Sequence, residues 1–584
     1  MITRKRLSAF AVRTFALSAV SVSVVFSPLA AQSGRMAAPS RGGMVVSSHY
    51  LASEVGQEIL EQGGNAVDAA VATAFALAVT LPSAGNVGGG GFLVYHGADG
   101  EVTTFNFREK AALAATERMY LDGTGEVRDN SNRIGLLAVG VPGTVAGMWK
   151  AHQRLGRLPW ADLLEPAIRL AADGMPSTWA MQNWLGSLPG RAGPLYDATR
   201  EAFLKDGVGV YEPGETFRQP DLAETLRRIQ RDGHDGFYRG ETAKLVAGFM
   251  AEHGGLITAE DLARYEADEL TPIHGTYRGY DVYSMPPPSS GGIGIVEMLN
   301  ILEGYDLAEI GHNSALYLHL LTESMRRSYA DRALYIGDPK LNPDIPVERL
   351  TSKAYAGQLR SSIDMERASR SDSAAFNTVF LAESAESEET THYSVVDAEG
   401  NAVAVTYTLE FGYGSSIVVP GAGFLLNNEL GDFNAIPGRT DSRGTIGTPP
   451  NLVAPQKQPL SSMTPTIVAR DGRPVLAIGS PGGRTIINTT LQVVLNVVDH
   501  GMTGSQFGRA IESPRIHHQW FPDTTTFEEW GFSPDTKRLY QAMGHRISTR
   551  GGQGSAMGIY IDWDTGLRWG AADSRAFDGG ARGN

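Results

Sequence analysis

Apolar and polar positions divide the chain into two parts of different character. From Ser53 the stretch SEVGQEILEQ carries apolar residues at helical spacing and stops at Gly63 and Gly64. Asn65 then caps a second helix, AVDAAVATAFALAV, with Asp68 at its third position. That helix is apolar on nearly every face, which predicts burial between layers rather than a place on the surface. Gly88 to Gly91 form a four-glycine turn before the strand-like FLVYH. From about Leu158 to Leu359 the spacing is mostly helical with short loops. Its sharpest punctuation is Pro286-Pro287-Pro288-Ser289-Ser290-Gly291-Gly292, which predicts a rigid loop. Residues 361–389 are polar, end in an acidic run, and predict an exposed, poorly packed segment.

After that segment the character changes abruptly from helical spacing to β-rich runs. His392 to Val396 and Ala402 to Thr408 are β-rich runs around the turn Ala398-Glu399-Gly400-Asn401. A second hairpin joins Thr466-Ile467-Val468 to Pro474 through Ile478 across Asp471-Gly472. Between the hairpins, Pro437 to Pro459 is rich in Pro, Gly and Thr and predicts a long loop. No internal repeat is visible. Helices first and hairpins afterwards predict an α+β fold of packed layers, with no doubly wound pattern.

Composition narrows the function classes. Hydrophobic residues make up 42% and charged residues 20% of 584, which suits a folded domain with an ample core. The formal net charge of -14 and the lack of any long basic stretch argue against nucleic acid as the main partner. Cysteine is absent, so a covalent nucleophile has to be Ser, Thr, Lys or a carboxylate. At the start, Arg4, Lys5 and Arg6 precede an apolar run from Thr14 to Phe26, then Pro28, Ala30 and Ala31. That order reads as a secretory signal peptide over residues 1–31, too short to span a bilayer; an N-terminal membrane anchor is the alternative. The mature protein is then expected outside the cytoplasm, periplasmic or secreted, with no stable membrane insertion.

Candidate chemistry begins at the first hairpin. With Ala398 to Asn401 as the turn, facing residue numbers sum to about 799, placing Thr391 opposite Thr408 and Thr390 at the mouth of the pair. Two hydroxyls then approach each other where a polar segment meets a rigid strand. A plain cross-strand Thr pair, worth under ~1 kcal/mol, fits the same spacing. Gly479-Ser480-Pro481-Gly482-Gly483 follows a strand, and its N–H groups form either a tight turn or an anion-binding nest. His517-His518 is a poor metal motif because neighbours in a strand face opposite ways. No serine sits in a G-x-S-x-G elbow.

At Thr390-Thr391-His392-Tyr393-Ser394 the chain resembles the bacterial γ-glutamyltransferase (γ-glutamyltranspeptidase) family. The resemblance extends through Gln62 to Ala70, Phe107-Arg108-Glu109, Val141 to Thr144, Ser284 to Gly292, Leu426 to Glu429, Pro459 to Met463 and Gly479 to Gly483. It implies a four-layer αββα fold of the N-terminal-nucleophile hydrolases, made as a proenzyme that cuts itself between Glu389 and Thr390. A large subunit, 32–389, and a small catalytic subunit, 390–584, would remain one intertwined domain. The resemblance implies no cofactor and no metal, and γ-glutamyl donors such as glutathione, with water, amino acids or peptides as acceptors.

Roles follow from the same motifs. Thr390 is implied as nucleophile and, through its freed amine, as base; Thr408 orients it. Gly482 and Gly483 match the oxyanion-hole glycines. Arg108, Ser461 and Ser462 match the residues that bind the donor α-carboxylate; without the motif around it, Arg108 reads as a surface ion pair. Glu429 and Asp432 match the acceptors of the α-ammonium, and Glu410 stands beside them where many members have Asn. Arg443 stands where members with a closing lid carry Tyr. Both departures bear on specificity, so a glutaryl (cephalosporin-type) acylase is the alternative enzyme, and a non-cleaving periplasmic binding relative is the alternative of another class.

Overall fold

A computed structural model describes residues 36–190, 193–371, 390–439 and 447–584. The expected signal peptide, Glu389 and Arg443 lie outside the described residues. Two seven-stranded antiparallel sheets form the centre. The first runs, edge to edge, Gly580–Gly583, Met44–Ser47, Thr391–Val396, Ala402–Thr408, Gly90–His96, Val102–Phe107 and Asp268–Leu270. The second runs Ala38–Ser40, Leu567–Ala572, Met557–Asp562, Arg473–Gly479, Thr466–Arg470, Tyr280–Ser284 and Ile273–Tyr277.

Side-chain alternation explains the layering. Val45, Leu93, Val395, Val403 and Val405 face the helices Tyr50–Glu61 and Ala66–Thr80. Their neighbours Met44, Val46, Val94, Val396, Ala402 and Ala404 face Ile467, Ala477, Met557 and Ile559 of the second sheet. The second sheet's far side is covered by Gly291–Leu302, Ala315–Tyr335 and Thr485–Val498. The order helix, sheet, sheet, helix is the expected αββα sandwich. The central strands are buried on both faces, so polar residues such as Thr391, His392, Ser394 and Thr406 are buried with the apolar ones and find hydrogen-bond partners there.

Asn65 and Asp68 form the expected capping box, and every residue of Ala66–Thr80 is buried. The central stretch differs from its helical reading: Ile273–Tyr277 and Tyr280–Ser284 form a hairpin that extends the second sheet. Its polar, exposed alternate residues are those of an edge, where burial contributes little pattern. Strands from both parts of the chain interleave in both sheets, so helices and hairpins do not segregate along the sequence. The Pro286 to Gly292 motif is a loop only to Ser290; Gly291 and Gly292 open a buried helix.

The first hairpin is offset by one residue from the expected register. Thr391 pairs with Tyr407 and Val396 with Ala402, so the facing numbers sum to 798. The connection is a five-residue loop, 397–401, because the Asp397 carboxylate accepts from the N–H groups of Glu399, Gly400 and Asn401 at 2.9–3.0 Å. The slip places Thr390, not Thr391, opposite Thr408. The second hairpin turns through Asp471 and Gly472, both at positive φ, as the sequence predicts.

Candidate active site

Thr390 ends the approach to the strand Thr391–Val396, and its Oγ1 donates to Thr408 Oγ1 at 3.3 Å. Thr408 Oγ1 also accepts the Glu410 N–H at 2.8 Å, which fixes its lone pairs. Thr391 turns the other way and donates to Ser48 Oγ at 3.0 Å, so it takes no part. His392 lies between the sheets, bound to Thr406 Oγ1 and Ser394 Oγ; burial pushes its pKa down to about 3. A Cβ at Gly479 would strike its ring at 2.4 Å.

The glycine run Gly88–Gly91 acts through close approach. A Cβ on Gly89 would lie 2.0 Å from Thr408 O, and one on Gly91 would lie 2.4 Å from Thr406 O. Asn86 completes this support: its Nδ2 donates to Thr408 O at 3.0 Å while its Oδ1 accepts from Gly89 N. Thr408 is therefore held from its backbone as well as through its hydroxyl.

Thr390 and Thr408 line one cleft together with Arg108, Glu410, Glu429, Asp432, Ser461, Ser462 and Gly483. Of the expected site residues in the described chain, all but Gly482 line it, and Gly482 is the chain neighbour of Gly483. Both glycines have positive φ, and a Cβ on Gly482 would meet Thr485 Oγ1 at 2.4 Å. The turn leads into the helix Thr485–Val498, whose N-terminal end carries partial positive charge toward this side.

Arg108 is buried at the end of the strand Val102–Phe107, not on the surface. Its guanidinium donates to Glu429 and, at 2.5 Å, to Asp432 Oδ2, with Glu109 at 3.5 Å. The groups expected to receive the donor carboxylate and ammonium thus form one ion-pair cluster rather than two separated poles. The four carboxyls gathered about Arg108 (Glu109, Glu410, Glu429 and Asp432) cannot all be charged at low cost. Burial pushes Glu109 up to about 7 against the pull of Arg108. Burial and the Asp432 charge hold Glu410 well above the usual carboxylate range.

Several cleft residues carry no sequence motif. Arg332, at the end of Ala315–Tyr335, donates to Ser462 Oγ at 3.0 Å. Arg133 lies over the Phe411 ring at 5.6 Å. Asn451 donates to Asp432 O and accepts from Leu460 N, tying the loop of the acids to the loop of the serines. Only side chains brought together from distant segments reveal these roles. Away from the cleft, ligand atoms of His319, Glu323 and His545 lie within 4.8 Å of one another. Glu323 there is already engaged by Arg326 and Arg327, which makes the trio a poor cation site. Among the described residues no helix is long and apolar enough to cross a membrane.

Known proteins share this architecture. The Gamma-glutamyltranspeptidase family profile matches residues 52–582. A glutathione hydrolase proenzyme of Escherichia coli (strain K12) is 45% identical over 539 residues, 92% of this chain and 91% of the relative. The Acylase ACY 1 proenzyme of Pseudomonas sp. (strain SE83) is 39% identical over 481 residues, 81% of this chain and 82% of that one. The crystal structure of cephalosporin acylase from Bacillus halodurans matches with a TM-score of 0.82 at 28% identity, over 96% of this chain and 99% of that one. With the profile spanning nearly all of the folded chain and the threonine pair lining a charged cleft, this protein is an enzyme of the gamma-glutamyltranspeptidase family.

Proposed function

We propose that this enzyme is made as a proenzyme, cuts itself between Glu389 and Thr390, and then transfers γ-glutamyl groups from glutathione-like donors to water or to amino acids and peptides. The observation that carries the reading is the Thr390–Thr408 hydroxyl pair in a cleft that Arg108, Glu429 and Asp432 also line. Residues 1–31 would export the chain, so the donors are met outside the cytoplasm.

In maturation Thr390 Oγ1 attacks the Glu389 carbonyl and the peptide C–N bond breaks, leaving an ester and a free amine on Thr390. Water hydrolyses the ester, giving subunits 32–389 and 390–584. The change creates a base: an α-amine with an ordinary pKa near 7.7–8.0 accepts a proton at neutral pH, which the parent amide nitrogen does not. In turnover this amine takes the Thr390 hydroxyl proton as Oγ1 attacks the donor γ-carbonyl. Gly482 and Gly483 N–H groups hold the negative oxygen, a contribution typically of order 10²–10³ in rate per donor. The departing amine leaves with the proton, and water or an amino acceptor then takes the acyl group from Thr390.

Arg108, Ser461 and Ser462 would receive the donor α-carboxylate, for which a planar guanidinium suits bidentate binding. Glu429, Asp432 and Glu410 would receive its α-ammonium. A zwitterionic donor end exchanges one internal ion-pair cluster for another of equal charge. A second reading, glutaryl acylase, has a specific observation in its favour: Glu429 and Asp432 already have a cation in Arg108, so an acyl group without an amine does not leave them unpaired.

Intact mass under denaturing conditions tests maturation. Wild type should give two fragments with Thr390 at the new N-terminus and Thr390→Ala one uncut chain; an uncut wild type would support a non-cleaving relative. Turnover of a γ-glutamyl anilide should exceed that of a glutaryl anilide, and the reverse order would establish the acylase reading. Arg108→Ala should raise the KM for the γ-glutamyl donor at least tenfold, as loss of a charge-assisted hydrogen-bond pair does.

A further inference from the structure

The Pro286 to Ser290 loop does not line the cleft, yet its hydrogen bonds converge on the residues that do. Ser461 N donates to Pro288 O at 3.0 Å, and Ser461 O accepts from Ser290 N at 2.8 Å and from Ser290 Oγ at 2.7 Å. Ser289 Oγ donates to Met463 O at 2.6 Å. The loop is thus a template laid against Ser461–Met463 from the large-subunit side. Arg332 closes this arrangement: its Nε donates to Ser290 Oγ at 2.8 Å and its Nη2 to Ser462 Oγ at 3.0 Å.

A guanidinium has only donors. Ser462 Oγ therefore accepts from Arg332, and its single proton is directed away from the guanidinium. Ser290 Oγ likewise accepts from Arg332 and spends its proton on Ser461 O. From this proton accounting we infer that Arg332 is a positioning residue for the donor α-carboxylate. It turns the Ser462 hydroxyl outward as a polarised donor and locks the serine loop to the Pro286–Ser290 template. The inference rests on the reading of Ser462 as a carboxylate ligand. Arg is required because the two bonds leave from different nitrogens of one rigid plane, whereas a lysine ammonium is a point donor on a flexible stem.

The test uses the matured two-subunit enzyme with a γ-glutamyl anilide and its α-carboxamide analogue. Arg332→Lys should raise the KM for the carboxylate donor roughly tenfold, with kcat changed less than about twofold. The preference for carboxylate over carboxamide should fall by the same factor, which a loss of general packing would not produce. Ser290→Ala, which keeps Arg332, should give a smaller shift of the same kind and covers the case that Arg332→Lys fails to mature. On a Ser462→Ala background, Arg332→Lys should add clearly less than it does alone, leaving only the part that runs through Ser290 and Ser461. If Ser462→Ala raises KM but Arg332→Lys leaves KM and the preference unchanged, the inference is wrong while the carboxylate reading stands. Full additivity of the two changes also overturns it. If Ser462→Ala itself leaves KM unchanged, the carboxylate reading of Ser462 falls, and the inference with it.

Discussion

Glu410 combines two local penalties. Its φ is +78°, in the left-handed region that costs a residue with a Cβ about 1 kcal/mol, and its carboxyl is buried beside Asp432. Its N–H holds Thr408 Oγ1, so the backbone geometry serves the partner of the proposed nucleophile Thr390. Folding raises the proton affinity of this carboxyl. Below the unfolded pKa of about 4.3 both states are protonated and the group costs nothing; above it the unfolded chain releases the proton first and stability falls. Glu410→Asn removes the carboxyl and suits positive φ. It should stabilise the enzyme by about 1 kcal/mol at pH 4 and by more at pH 8, read from thermal unfolding at both pH values. Equal gains would reduce the explanation to backbone strain, and no gain at either pH would refute it.

At the scale of elements, Asp397 links the hairpin that carries Thr390 and Thr408 to the buried helix. One carboxylate oxygen organises the five-residue loop, and the other accepts from Ala66 N at the helix start, 3.0 Å away, and from Asn401 Nδ2. The register that brings Thr390 opposite Thr408 depends on the odd length of that loop. Asp397→Ala should cost roughly 3 kcal/mol, since several charge-assisted bonds and a helix-terminal partner are lost together. Chemical denaturation measures this directly, and a loss under about 0.5 kcal/mol, the range of ordinary surface substitutions, would show that the loop holds its form without the carboxylate.

In the whole molecule, both sheets interleave strands from either side of the proposed cut. Thr391–Val396 lies between Met44–Ser47 and Ala402–Thr408, and Arg473–Gly479 belongs to the sheet that ends in Tyr280–Ser284 and Ile273–Tyr277. Parting the fragments would break ladder bonds and expose the apolar layer around Val46, Val396 and Ile467. The matured fragments should therefore co-elute in native size-exclusion chromatography and separate only in denaturant; separation in native buffer would contradict the interleaving.

Local and ordered features were legible in the sequence alone. The Asn65–Asp68 capping box, the all-apolar helix after it, the Asp471-Gly472 turn and the two β-rich runs are set by neighbours within a few residues, where propensity and period act. The motif resemblance reached further, to the family and to a set of residues that the fold gathers around one cleft. The tertiary structure alone decided the hairpin register, because one carboxylate's hydrogen bonds set the loop length. It alone joined Arg108 to Glu429 and Asp432 in one cluster, recruited Arg332 and Asn451, and assigned His392 to the sheet interface. Arg108 meets Glu429 and Asp432 across more than 300 positions, and Arg332 meets Ser462 across 130, so no short window records those contacts. The register turns on contacts only two to four residues apart, but side-chain hydrogen-bond geometry, not residue period, sets them.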